Sequence, residues 1–181
     1  SEADVSMASD GGFVVTWDHN NDGNNWGIIA RQFNADASPK GNEFVVNTHT
    51  TGDQWYPTVA MSSDGRFIVA WYDNGLGATY YRRFEQDGSS NMAQDTVSPA
   101  SFQVDVAANN DYFAFTWRAA DANNYGVYAR LQRHDASNAQ FTHIPLNTTT
   151  SGNQQMPAIA LSDSYLVTAW ESQYQDGSGY G

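Results

Sequence analysis

An aromatic-ended pentapeptide recurs four times along this chain. It reads Phe13-Val14-Val15-Thr16-Trp17, Phe67-Ile68-Val69-Ala70-Trp71, Phe113-Ala114-Phe115-Thr116-Trp117 and Leu166-Val167-Thr168-Ala169-Trp170, with the Trp residues 54, 46 and 53 positions apart. A period of this length constrains the fold, because one such unit is too small to bury its own apolar face and must stack on its neighbours. Two further segments keep the same order. Gly27-Ile28-Ile29-Ala30-Arg31 matches Gly126-Val127-Tyr128-Ala129-Arg130, with Thr79-Tyr80-Tyr81-Arg82-Arg83-Phe84 as a looser middle copy. Asn47-Thr48-His49-Thr50-Thr51-Gly52-Asp53-Gln54-Trp55-Tyr56-Pro57 is matched 100 residues later by Asn147-Thr148-Thr149-Thr150-Ser151-Gly152-Asn153-Gln154-Gln155-Met156-Pro157.

Each repeat reads as four short strands. In the first they are Asp4 to Ala8, Phe13 to Trp17, Gly27 to Phe33 and Glu43 to Asn47, separated by Asp-Gly, Asn-Asp-Gly and Pro-Lys-Gly turn chemistry. Phe13, Val15 and Trp17 share one face of the second strand and Val14 and Thr16 the other, so both faces suit burial between neighbouring sheets. No segment carries apolar residues at helical spacing over three turns. The pattern predicts an all-β fold, a β-propeller built from four-stranded antiparallel blades, about 3.5 of them in this chain. The repeats run 3–56, 57–102 and 103–156, with an incomplete 157–181; a β-solenoid or stacked sandwich is the alternative. Gln103 reads as standing where the other repeats carry Pro57 and Pro157. A half-blade implies either the remainder of a longer chain or self-association through the end blades.

Composition narrows the partners. Six Trp, ten Tyr and nine Phe stand against 8 Lys plus Arg, which favours rigid ring packing in sheets. The net charge of -12 argues against nucleic acid and anionic membrane surfaces as partners. With no cysteine there is no disulfide, thiolate nucleophile or Cys-ligated zinc. No apolar run approaches the roughly 20 residues of a membrane span, so membrane insertion is not expected.

Taken together, Ser9-Asp10-Gly11-Gly12-Phe13-Val14-Val15-Thr16-Trp17, Gly27 to Phe33, Val46-Asn47-Thr48, Gly52-Asp53-Gln54 and Gln175-Asp176-Gly177-Ser178-Gly179-Tyr180-Gly181 resemble a bacterial repeat of large secreted and surface proteins, including adhesin-like and calcium-dependent RTX-type proteins with integrin-like propellers. The resemblance implies an extracellular or cell-surface location, and calcium as a cofactor. The middle copy departs from the pattern in its short loop Tyr72-Asp73-Asn74-Gly75-Leu76-Gly77.

Two candidate sites follow from the loops. Asp18, Asn20 and Asp22 place oxygen side chains at alternate positions before Gly23, a spacing that wraps hard ligands around Ca²⁺. An Asn/Asp-rich hairpin loop explains the same residues. Ile29 at the twelfth position excludes an EF-hand. Trp26, Asp53, Trp55, Tyr56 and Tyr125 lie in or beside the loops after the second and fourth strands, which emerge on one side of a four-stranded antiparallel sheet. Flat rings beside carboxylates suit a sugar surface; packing at a blade junction is the alternative. The four repeating Trp read as core, and Arg31, Arg82 and Arg130 as partners for loop acids. No nucleophile elbow, His-Glu-x-x-His or phosphate loop is present. The expected function is therefore an extracellular carbohydrate-binding or adhesion module for a glycan or cell-surface ligand, with no catalytic residue assigned. A glycan-cleaving propeller enzyme and a structural spacer are the alternatives.

Overall fold

The computed structural model describes residues 2–20, 25–90, 92–134 and 143–181. The first sheet holds β1 (Ala3–Met7), β2 (Phe13–His19), β3 (Gly27–Phe33) and β4 (Phe44–Val45), and the second β5 (Gln54–Met61), β6 (Phe67–Asp73), β7 (Ala78–Phe84) and β8 (Asp95–Ser98). The third holds β9 (Ser101–Ala108), β10 (Tyr112–Ala120), β11 (Tyr125–Arg133) and β12 (Ile144–Pro145), and the fourth the pair β13 (Gln154–Leu161) and β14 (Leu166–Ser172). Every strand pairs antiparallel with its sequence neighbour inside its sheet, so the all-β, four-stranded antiparallel reading holds. Glycine at Gly11 (φ 84) and Gly65 (φ 86) lets the first hairpin of the first two repeats close in the left-handed region. The preceding Asp caps both turns, with Gly12 N donating to Asp10 Oδ1 at 2.9 Å and Arg66 N to Asp64 Oδ1 at 3.2 Å.

Period-two alternation packs the sheets in chain order. Phe67, Val69 and Trp71 turn toward the first sheet and join Val14, Ile28, Ala30 and Val46 in one core. Ile68 and Ala70 turn the other way and join Tyr81, Val97, Phe113, Phe115 and Trp117 in a second. The middle strands are therefore covered on both faces, and Trp71 and Trp117 are fully buried. Trp17 and Trp170 are only half-buried, and Val5, Met7 and Val167 are exposed on the first and fourth sheets.

The repeated Asn-Thr and Gln segments are buried polar clips. Asn47 Oδ1 accepts Ile28 N at 2.8 Å, while its Nδ2 donates to His49 O and to Gln54 Oε1, both at 2.9 Å. Asn147 repeats the set on Val127 N at 2.9 Å, Thr149 O at 2.9 Å and Gln154 Oε1 at 3.2 Å. Full satisfaction of such buried amides fixes how one repeat hands over to the next.

Two details differ from the sequence reading. The recurring arginines serve backbone carbonyls instead of loop acids: Arg31 donates to Gly41 O, Arg82 to Val46 O and Met92 O, and Arg130 to Val97 O. Strand register also sets Asp105 against Thr116 as Thr58 is set against Ala70. Val104 therefore occupies the place of Pro57 and Pro157, and Gln103 that of Tyr56 and Met156.

Candidate functional site on the first strand of each sheet

The first strand of the second, third and fourth sheets lies against the sheet before it, and its entrance is irregular. β5, β9 and β13 each carry a register shift near their start. Tyr56 (φ 58), Gln103 (φ 51) and Met156 (φ 50) hold the left-handed conformation at these shifts. Such angles are uncommon for residues with a Cβ, and for a ring as bulky as Tyr they store strain of about 1–3 kcal/mol, a cost that clusters at functional sites. Tyr56 and Met156 are each 56 % exposed. The bulges turn side chains outward that a regular strand would pack.

Two residues further along each strand lies a chain of contacts between sheets. Asp4 Oδ2 accepts Val59 N at 2.8 Å and faces the Thr58 hydroxyl at 3.1 Å. The same hydroxyl lies 3.1 Å from Asp105 Oδ1, while Asp105 Oδ2 accepts Ile159 N at 2.9 Å. A hydroxyl carries one proton, so both contacts are hydrogen bonds only when one carboxyl is protonated and donates to Thr58 Oγ. Burial pushes the Asp105 carboxyl up, and the Asp4 charge adds to this, outweighing the hydrogen bonds from Ile159, Val106 and Thr58. Asp105 thus holds its proton more readily than an ordinary aspartate does.

The rim beside this chain carries a cleft of about 320 Å³ lined by Glu2, Asp18, Trp26, Trp55 and Tyr56. Antiparallel pairing puts the β2–β3 loop and the entrance to β5 at the same end, which brings Trp26 to Trp55 and Tyr56. The loops are stitched there by Gln54 N on Trp26 O at 2.8 Å and by Trp26 N on Asp53 Oδ1 at 3.4 Å. Trp55 and Tyr56 meet edge to face with centroids 6.4 Å apart. Asp18 is buried, and its Oδ1 accepts Glu2 N at 2.9 Å while its own N–H donates to Glu2 O at 3.2 Å. Glu2 is thereby clamped beside the aromatic rings.

Of the residues singled out from sequence, Trp26, Trp55 and Tyr56 share this cleft, and Asp53 braces its backbone. Tyr125 does not join them; it stands on the third sheet between Phe102 and Arg118. Of the calcium trio, Asp18 turns into the cleft, Asn20 is exposed, and Asp22 lies outside the described residues. No group of three or more His, Cys, Asp or Glu that could hold a metal occurs among the described residues. Glu2, Asp4, Thr58, Asp105 and Arg118 were missed. Counting back from the repeating Trp aligns Asp4 with Thr58 but leaves Asp105 one position out, so only strand register brings the three into line.

No family model and no curated protein matches the chain. Solved structures do resemble it in fold. A protein of unknown function from Dyadobacter fermentans has a TM-score of 0.63 at 11% identity, over 99% of this chain and 66% of its own length. A Hadza microbial sialidase has 0.59 at 10% identity, over 98% and 45%. The catalytic domain of a GH62 α-L-arabinofuranosidase from Coprinopsis cinerea has 0.52 at 13% identity, over 98% and 61%. The chain therefore spans less than two thirds of the length of each. The expectation of a binding module without catalysis is corrected here: of the structures named above, those with a stated activity are enzymes, a sialidase and an α-L-arabinofuranosidase.

Proposed function

We propose that the chain forms successive blades of a β-propeller, three complete and two strands of a fourth, that cleaves glycosidic bonds. The observation that carries this reading is the Asp4–Thr58–Asp105 chain on the first strands of three sheets. Glycosidases use two carboxyl groups roughly 5 to 9.5 Å apart, one protonated and one ionised. Asp4 and Asp105 bring two carboxyls to one hydroxyl, and burial pushes the Asp105 carboxyl up, which suits it to the acid role. In this scheme Asp105 gives its proton to the glycosidic oxygen as the bond from the anomeric carbon breaks. Asp4, held by the Val59 and Val5 N–H groups, takes a proton from the water whose oxygen replaces the leaving group. Thr58 connects the two carboxyls and sets their orientation.

The cleft provides the other half of the task. Trp26, Trp55 and Tyr56 offer apolar faces for sugar rings, while Glu2 and Asp18 accept from hydroxyls. A secreted or surface location, as the repeat resemblance implies, suits an enzyme that meets polymeric glycans.

Release of reducing ends from arabinan and from sialylated and uronate-containing glycans tests the assignment. Asp105→Asn and Asp4→Asn each lower turnover by about a hundredfold or more, the usual weight of a positioned acid or base. Turnover that survives both substitutions overturns it.

A further inference from the structure

A second aromatic row lies on the rim at the third sheet. Tyr72, Phe102 and Tyr125 follow one another with centroids 5.2 and 6.5 Å apart, and the row ends where the Arg118 guanidinium carbon sits 3.9 Å from the Tyr125 centroid. All four side chains are half-buried. Among the described residues Arg118 makes no ion pair and no hydrogen bond, and its Nε is buried without a partner. Asp121 and Glu171 make their hydrogen bonds to other groups, with Asp121 Oδ2 left buried and without a partner. Asp121 Oδ1 accepts Asn123 N at 2.8 Å and Asn124 N at 2.7 Å, and Glu171 accepts Gln155 Nε2 at 3.0 Å.

An unpaired guanidinium is unexpected in a chain of net charge -12, where acids outnumber Lys plus Arg by 20 to 8. Stacking on Tyr125 fixes the plane of the group and leaves its edge N–H donors free. Arg118 also takes the place in its repeat that Asp18 holds in the first, each directly following the repeating Trp. The rim therefore changes sign between the first and third sheets.

We propose that Arg118 and the Tyr72–Phe102–Tyr125 row form a subsite for an anionic sugar, whose carboxylate pairs with the guanidinium while its ring lies on the aromatic row. The proposal rests on the glycan-cleaving reading and names its substrate class. A planar guanidinium matches a carboxylate through two parallel hydrogen bonds, a geometry no neutral hydroxyl reproduces. Elsewhere the acidic surface repels anions, so discrimination in favour of an acidic sugar depends on this one side chain.

The test compares two probes, trigalacturonate and its fully methyl-esterified form, in which each carboxylate becomes a neutral methyl ester, titrated calorimetrically into the protein. The wild type binds the acid at least tenfold more tightly than the ester. Arg118→Gln lowers affinity for the acid about tenfold, near 1.4 kcal/mol, and leaves the ester unchanged, Arg118→Lys recovers part of the loss, and Tyr125→Ala weakens both probes. Melting curves identify any variant that fails to fold, and the wild-type comparison of the two probes needs no variant. A galactose trisaccharide bearing sulfate esters separates carboxylate recognition from general anion binding; if it matches the acid, the carboxylate assignment falls. Equal binding of acid and ester by the wild type overturns the subsite, as does an Arg118→Gln variant that keeps its preference for the acid. Reducing-end release is read separately, so cleavage without charge discrimination removes the subsite and leaves the glycosidase reading standing.

Discussion

Asp4 and Asp105, on the first and third sheets, each stand 3.1 Å from the single hydroxyl of Thr58 on the second. The contact links three sheets through β1, β5 and β9, and the hydroxyl carries one proton for two carboxyls. Burial tilts the Asp105 carboxyl toward holding its proton.

The tilt has a thermodynamic sign. A carboxyl whose folded pKa is raised binds its proton more tightly folded than unfolded. Its stabilising contribution is whole below the unfolded value and is lost as pH rises through the folded one. Asp105→Asn removes the titration. The melting temperature of the wild type minus that of the variant should fall as pH is raised from about 4, the unfolded aspartate value, toward 7. A difference that stays constant or grows with pH would show that Asp105 is not raised.

Tyr56 offers a separation of strain from function. Its left-handed φ costs about 1–3 kcal/mol, and glycine would relieve that at an entropic cost of about 0.5–1 kcal/mol. Tyr56→Gly should melt at or above the wild type while KM for a cleaved glycan rises. Tyr56→Ala keeps the strain, loses the ring and should melt lower than Tyr56→Gly. The reverse order of melting temperatures would place no strain at this bulge.

The repeating Trp residues should not be equivalent. Trp71→Ala empties a site covered on both sides and should cost about 3–5 kcal/mol. Trp17→Ala, on the uncovered face of the first sheet, should cost clearly less. Chemical denaturation of the two variants gives the comparison, and equal losses would mean that the Trp17 face is covered in solution.

Strands were legible wherever period-two alternation met turn residues. Gly27 to Phe33 was read with the bounds it has, and Phe13 to Trp17 extends only to His19. The fourth strand was overread. Asn47 leaves the ladder to clip Ile28 N, a role that exists only once β3 is in place. Trp26, Trp55 and Tyr56 could be grouped because hairpin parity fixes which loops share an end. Asp4 and Asp105 could not. The equivalent positions hold Thr58 and Ala158, so no repeating acid marks the strand, and the carboxyls meet only through the stacking of three sheets. Arg118 was hidden for a similar reason, since its counterpart Asp18 carries the opposite charge and the contact with Tyr125 depends on strand register.

Cleavage itself is the decisive observation. The full chain should be incubated with arabinan and with sialylated and uronate-containing glycans, and product followed by chromatography beside Asp105→Asn under the same conditions. Shortened glycans are expected with the wild type, and a rate lower by about a hundredfold or more with the variant, whose melting curve stays cooperative. Intact glycans throughout, or equal product from both proteins, would contradict the assignment of Asp4 and Asp105 as a glycosidic acid and base.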